Sequence, residues 1–148
     1  MKHVLHLAKR FLSSFPRSDV SETELSSVRS LLSASEYELW LQFAHADRRH
    51  SVAVAARFTA LCPEASRYEI AGVLLHDIGK IRSNLSTLQR VIATVVGPRT
   101  KRFALYHQHE EIGADMLRRA GSHSEVIAIV NQTCSAEVAT AFRAADNI

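Results

Sequence analysis

At 148 residues the chain has room for one domain of ordinary size, and its 47% hydrophobic and 22% charged residues match a globular protein with a packed core. That composition excludes a disordered or fibrous protein, and no apolar run approaches the roughly 20 residues needed to span a bilayer. The net charge of +3 is small and scattered, so neither a nucleic acid polymer nor a membrane is implied as a partner.

The first ten residues, Met1 to Arg10, carry charge throughout, unlike a secretory leader. Cys62 and Cys134 are far apart and in no metal-ligand spacing, which points to reduced, buried thiols in a cytoplasmic protein. Val4, Leu5, Leu7, Ala8, Phe11, Leu12 and Phe15 form an apolar stripe at helical spacing that Pro16 ends. This helix packs on its own domain or lies in a homodimer interface. Ser21 and Glu24 have the spacing of a capping box and open a second helix carrying Leu25, Val28, Leu31 and Leu32. A third runs through Tyr37, Leu39, Trp40, Leu41 and Phe43. Asp47 reads as the cap of a fourth, from Arg48 to Leu61. Pro63 opens a fifth that reaches His76-Asp77, with Gly79 as its stop. Further helices are expected around 84–96, 99–119, 124–133 and 135–146, broken at Gly97-Pro98 and Ala120-Gly121-Ser122. No alternating pattern survives comparison with its helical alternative. The expected fold is all-α, one domain of eight or nine helices.

Eight histidines are many for this length, and helical spacing sorts them. His50 shares a face with Ala53, Val54, Phe58 and Leu61, so it points inward. Ile70 to Leu75 is apolar all round, and His76 and Asp77 follow at its buried end. A carboxylate left unpaired there costs several kcal/mol or loses its charge, and a bound cation removes the difficulty. His109 shares a face with Gly113, Met116 and Leu117, and Asp146 with Ala139 and Phe142, so both turn inward. His107 is expected to face water. Imidazoles and carboxylates converging in this way form a ligand set for an ion such as Mn, Fe, Co or Ni, and the absence of nearby cysteine argues against a closed structural zinc site. Taken alone, an inward histidine is more often a satisfied core residue than a ligand.

The run His76-Asp77-Ile78-Gly79-Lys80 resembles the HD superfamily of metal-dependent phosphohydrolases, in particular its small bacterial HDIG-type members. The family's pattern of a histidine, an HD doublet and a distal aspartate is matched by His50, His76-Asp77 and Asp146. Asp47 to Ala55 is similar to the first metal-ligand helix of that family, and His109-Glu110-Glu111-Ile112-Gly113-Ala114 to its HPExGA-like segment. The resemblance implies a single HD-like helical domain, with residues 1–45 packing on a core of 46–148. It implies a divalent ion (Mn, Fe, Co, Ni, Mg or Zn) held by His50, His76, Asp77 and Asp146. His109 would be the ligand of a second ion bridged by Asp77. Gln132, or Asn131, stands where richer versions carry another histidine, so one ion is expected rather than two. The GYP motif of the cyclic-dinucleotide branch is missing.

The implied activity is hydrolysis of a phosphate ester, for example a nucleotide, by a metal-activated water. Asp77 is placed to orient that water and accept its proton. Lys80 is placed to stabilise phosphoryl charge, or simply answers a helix C-terminus. Arg49 reaches a phosphate or sits on the surface. Arg99, Lys101 and Arg102 form a basic cluster whose plain reading is a solvated helix start. The alternative function is a catalytically weak HD module that binds a nucleotide or protein partner in signalling and uses the metal for structure. A di-iron oxygenase on the same scaffold is a third reading.

Overall fold

The computed structural model describes residues 19–83, 85, 87–102, 104 and 108–147. In chain order its elements are α1 (Glu22–Leu31), α2 (Ala34–Trp40), α3 (His45–Leu61), α4 (Arg67–Leu74), a 3₁₀ turn (Ile78–Arg82), α5 (Thr87–Val96), α6 (His109–Arg119), α7 (Ser124–Val130) and α8 (Ala136–Asp146). The fold is all-α, as the sequence predicts, with no strand among the described residues. The stripe at 4–15, Pro16 and His107 lie outside those residues. Among the described residues no helix is long and apolar enough to cross a membrane.

Helix starts follow local chemistry. Ser21 and Glu24 close the expected capping box on α1. The same Ser-x-x-Glu pattern, at Ser33/Glu36 and Ser66/Glu69, opens α2 and α4. The second of these corrects the start assigned to Pro63. Ser66 Oγ accepts from the Glu69 N–H at 3.1 Å, and the Glu69 carboxylate accepts from the Ser66 N–H at 2.8 Å. Two satisfied amides outweigh the preference of proline for a first turn, and Pro63 sits in the turn before. Asp47 is likewise not a cap. α3 begins at His45 behind Ala44, and Asp47 lies in its first turn, where a negative charge answers the helix dipole.

Helix ends were less legible. The expected breaks at 97 and 121 are present, and both glycines hold positive φ, +78° and +76°. α7 stops at Val130 rather than 133, because Gln132 adopts a left-handed φ of +59°. Lys101, Arg102 and Ala104 are helical, but Gln108 leaves helical geometry before α6 begins at His109. α5 begins at Thr87, three residues later than the spacing suggests.

The core is one cluster running from Val20 to Ala145. α4 is its centre, buried through Ala71, Gly72, Val73 and Leu74 and packed on α1, α3 and α7. A Cβ on Gly72 would lie 2.6 Å from Ile129 Cβ, so glycine lets α7 close against α4. Trp40 Nε1 donates to Ser51 Oγ at 2.9 Å, which in turn donates to the Arg48 carbonyl at 2.9 Å, so this polar pair is satisfied inside the core. Cys62 and Cys134 are half-buried rather than buried, and desolvation pushes the Cys134 thiol up.

α4 ends at Leu74, short of the doublet. His76 and Asp77 therefore sit in a turn that leads into the 3₁₀ turn, not on a helix. Gly79 is not a helix stop either. A Cβ there would meet the His109 carbonyl oxygen at 1.8 Å and the Gly113 nitrogen at 2.8 Å, so glycine allows the 3₁₀ turn and α6 to touch backbone to backbone. That contact carries the start of α6 to the doublet.

Candidate metal centre

Four separate segments bring the predicted residues to one place. α3 supplies His50, the turn after α4 supplies His76 and Asp77, α6 supplies His109 as its first residue, and α8 supplies Asp146 as its last. His50, His76 and Asp77 each offer a ligand atom, and the three atoms lie within 4.8 Å of one another. Asp146 Oδ1 is 3.0 Å from His50 Nε2 and 3.5 Å from His76 Nε2. Asp77 Oδ2 is 3.5 Å from His76 Nε2 and 2.6 Å from Lys80 Nζ, while its Oδ1 is 3.4 Å from His109 Nε2. His109 therefore joins the cluster through Asp77.

The donor set fits a divalent ion. His76 Nδ1 donates to the Val73 carbonyl at 2.7 Å, so in the neutral ring the lone pair is on Nε2, which faces the cluster. That Nε2 is buried and makes no hydrogen bond. A buried acceptor facing two carboxylates has the chemistry of a cation ligand. Two donors bound at about 2.1 Å are about 3.0 Å apart at a right angle and about 3.4 Å apart in a tetrahedron. The separations of 3.0 and 3.5 Å around Asp146 and His76 match that spacing to within about 0.1 Å, and the ligand atoms of His50, His76 and Asp77 spread no further than 4.8 Å.

The local field points the same way. Burial pushes the Asp77 carboxyl up, but His76, Lys80 and His109 outweigh it and hold it well below the usual carboxylate range. Asp146 shows the same balance, with His50 and His76 overcoming its desolvation. Burial pushes His76 down, yet the carboxylates of Asp77 and Asp146 and the Val73 carbonyl raise it above its ordinary value. Two carboxylates thus draw positive charge to one point, and Lys80 supplies part of it at 2.6 Å from Asp77. Phe142, one turn before Asp146 on α8, sets its ring edge-on to His76 at 5.2 Å and closes the apolar side.

Arg49 has its own carboxylate partner. Its Nη1 pairs with Glu24 of α1 at 2.7 Å, tying α3 to α1. Gln132 is exposed, and its amide donates to Glu110, next to His109. Arg102 binds the Ser83 carbonyl at 3.2 Å, so this member of the basic cluster braces the end of the 3₁₀ turn. Sequence reasoning missed the Val73 carbonyl, which leaves no trace in side-chain pattern. It also missed Glu24 as the partner of Arg49, a pairing 25 residues apart.

The family model for the HD domain matches residues 48–145, about two-thirds of the chain. The match takes in His50, His76, Asp77 and His109 and ends one residue before Asp146. No curated protein and no solved structure matches the chain.

Proposed function

The chain belongs to the HD-domain family, and from that premise we propose that it is a metal-dependent phosphohydrolase cleaving a small phosphate ester, with nucleotides the first substrates to test. The observation that carries this reading is the orphaned Nε2 of His76, facing the carboxylates of Asp77 and Asp146. His50, His76, Asp77 and Asp146 are the residues that would hold one divalent ion. A bound ion there supplies a water with a pKa lowered toward neutrality and a Lewis acid for a phosphoryl oxygen.

The chain's own residues do the rest. The Val73 carbonyl keeps the proton of His76 on Nδ1, which leaves Nε2 as the donor. Asp77, ionised before the reaction, orients the attacking water and takes its proton. Lys80, held 2.6 Å from Asp77, is the cation that would answer developing phosphoryl charge. Arg49 serves as a second phosphate contact by exchanging Glu24 for the substrate. His109 and Asp77 Oδ1 are the beginning of a second ion site. Gln132, turned to Glu110, adds no imidazole to it, so one ion is the working number.

One observation favours a second reading. The two cations assigned to the substrate, Lys80 and Arg49, are both already paired, with Asp77 and Glu24. A catalytically weak module that binds a nucleotide or partner around a structural metal would keep them so.

Metal analysis of the purified protein, then a panel of phosphate esters and nucleotides with added Mn²⁺, tests the proposal. Turnover should vanish with chelator and return with metal. His76→Ala and Asp77→Asn should each abolish metal binding and turnover together. Bound metal without turnover across the panel would support the module. Metal and turnover retained in both variants would refute the site.

A further inference from the structure

Asp146 is the last residue of α8, and the final turn of a helix has carbonyls with no partner inside the helix. Such turns fray unless something outside ties them down. α8 packs chiefly on α3, and α3 grips its end at two points. His50 Nε2 reaches the Asp146 carboxylate at 3.0 Å, and Arg57 Nε donates to the Ala145 carbonyl at 2.7 Å. His50 and Arg57 are seven residues apart, two turns on one face, so a single helix presents both. The arginine bonds the carbonyl just before the ligand, and its charge answers the negative end of α8.

We infer that Arg57 is a positioning residue for the metal centre: by holding the Ala145 carbonyl it keeps the last turn of α8 wound and so fixes Asp146 where an ion would need it. This inference rests on the proposed metal-centred reading, and it adds a residue outside the ligand set. Nothing in the ligand pattern calls for an arginine here, and His50 grips the Asp146 side chain rather than the Ala145 carbonyl.

Two measurements on the full chain test it. In metal-free protein, backbone amide exchange in the last turn of α8 and at Asn147, whose N–H bonds the Arg143 carbonyl, should quicken about tenfold or more in Arg57→Ala, with α4 unchanged. Direct titration with Mn²⁺ should show affinity falling by about 10- to 100-fold in Arg57→Ala, as for outer partners of metal ligands. Arg57→Lys, which can still donate to the carbonyl, should recover most of both. In an Asp146→Ala background, Arg57→Ala should change Mn²⁺ affinity by less than about twofold, because its route to the ion has been removed. Unchanged exchange in the last turn, unchanged Mn²⁺ affinity, or an equal loss in the Asp146→Ala background would overturn the inference. If the wild-type protein takes up no Mn²⁺, the metal-centred reading falls and the positioning role with it, while the exchange data still decide whether the clamp holds the helix end.

Discussion

His76 Nδ1 lies 2.7 Å from the carbonyl oxygen of Val73, three residues earlier in the chain. A carbonyl can only accept, so this bond assigns the ring proton and turns the opposite nitrogen to the cluster. The tautomer is thus fixed by the turn that ends α4, before any ligand arrives.

A pH dependence follows from the same ring. The raised pKa of His76 means that its protonated form stabilises the metal-free fold fully below about pH 6.5, and that this contribution is lost as pH rises through the folded value. Asp77 and Asp146 are depressed, so their contribution is present above about pH 4 and is lost as pH falls through their folded values. These three groups therefore favour the metal-free fold most between about pH 4 and 6.5. An ion needs His76 neutral, so Mn²⁺ affinity should rise by about tenfold per pH unit while one proton is displaced. Thermal unfolding with and without Mn²⁺ at pH 6, 7 and 8 should show a growing difference. A difference that shrinks with pH would contradict the assignment of Nε2 as a ligand.

Gly79→Ala tests the backbone contact that brings His109 to the doublet. The new Cβ would sit 1.8 Å from the His109 carbonyl oxygen and 2.8 Å from the Gly113 nitrogen, so α6 must move. We expect a loss of about 2–3 kcal/mol in urea denaturation. Gly121→Ala is the control: its φ of +76° strains a side chain, but nothing lies within 4 Å, so about 1 kcal/mol is expected. Equal losses in the two variants would rule out a special role for the close approach.

Lys80→Met separates metal binding from phosphate handling. Removing a positive charge 2.6 Å from a ligand carboxylate should raise Mn²⁺ affinity by about tenfold. Under the proposed chemistry the same variant should lose about 100-fold in turnover. Weaker Mn²⁺ binding in Lys80→Met would show that Lys80 supports Asp77 rather than competing with the ion.

Arg49 and Glu24 decide between the two functional readings. Their pair is partly exposed and contributes about 0.5–1 kcal/mol, which a double-mutant cycle would measure. If Arg49 exchanges Glu24 for a substrate phosphate, Arg49→Met should raise KM several-fold at constant kcat, and Glu24→Gln should lower it. KM unmoved in both variants leaves Arg49 as a tie between α1 and α3.

The identity of the inward residues was legible in the sequence because helical spacing sorts faces. His50 beside Val54 and Phe58, and Asp146 beside Phe142, could not point outward without exposing the apolar stripe. Capping was legible too, since Ser21 and Glu24 need only each other. The turn holding His76 and Asp77 was not, because the apolar run before it continues past the last helical residue, and nothing local marks where the 3₁₀ turn begins. Gln132 misled for a related reason: a non-glycine residue at φ +59° gives no compositional warning.

Sequence by itself determined which side chains face the interior and that they are imidazoles and carboxylates, because those are properties of one helix at a time. Only the tertiary structure decided that His50 and Asp146, 96 residues apart, meet at 3.0 Å, that Lys80 closes on Asp77, that Glu24 takes Arg49, and that Arg57 reaches the Ala145 carbonyl. Those contacts depend on how α3, α8 and the α6 start are packed around α4. That packing is set by close approaches such as Gly72 against Ile129 and Gly79 against His109, which are relations between distant segments that no periodicity along the chain records.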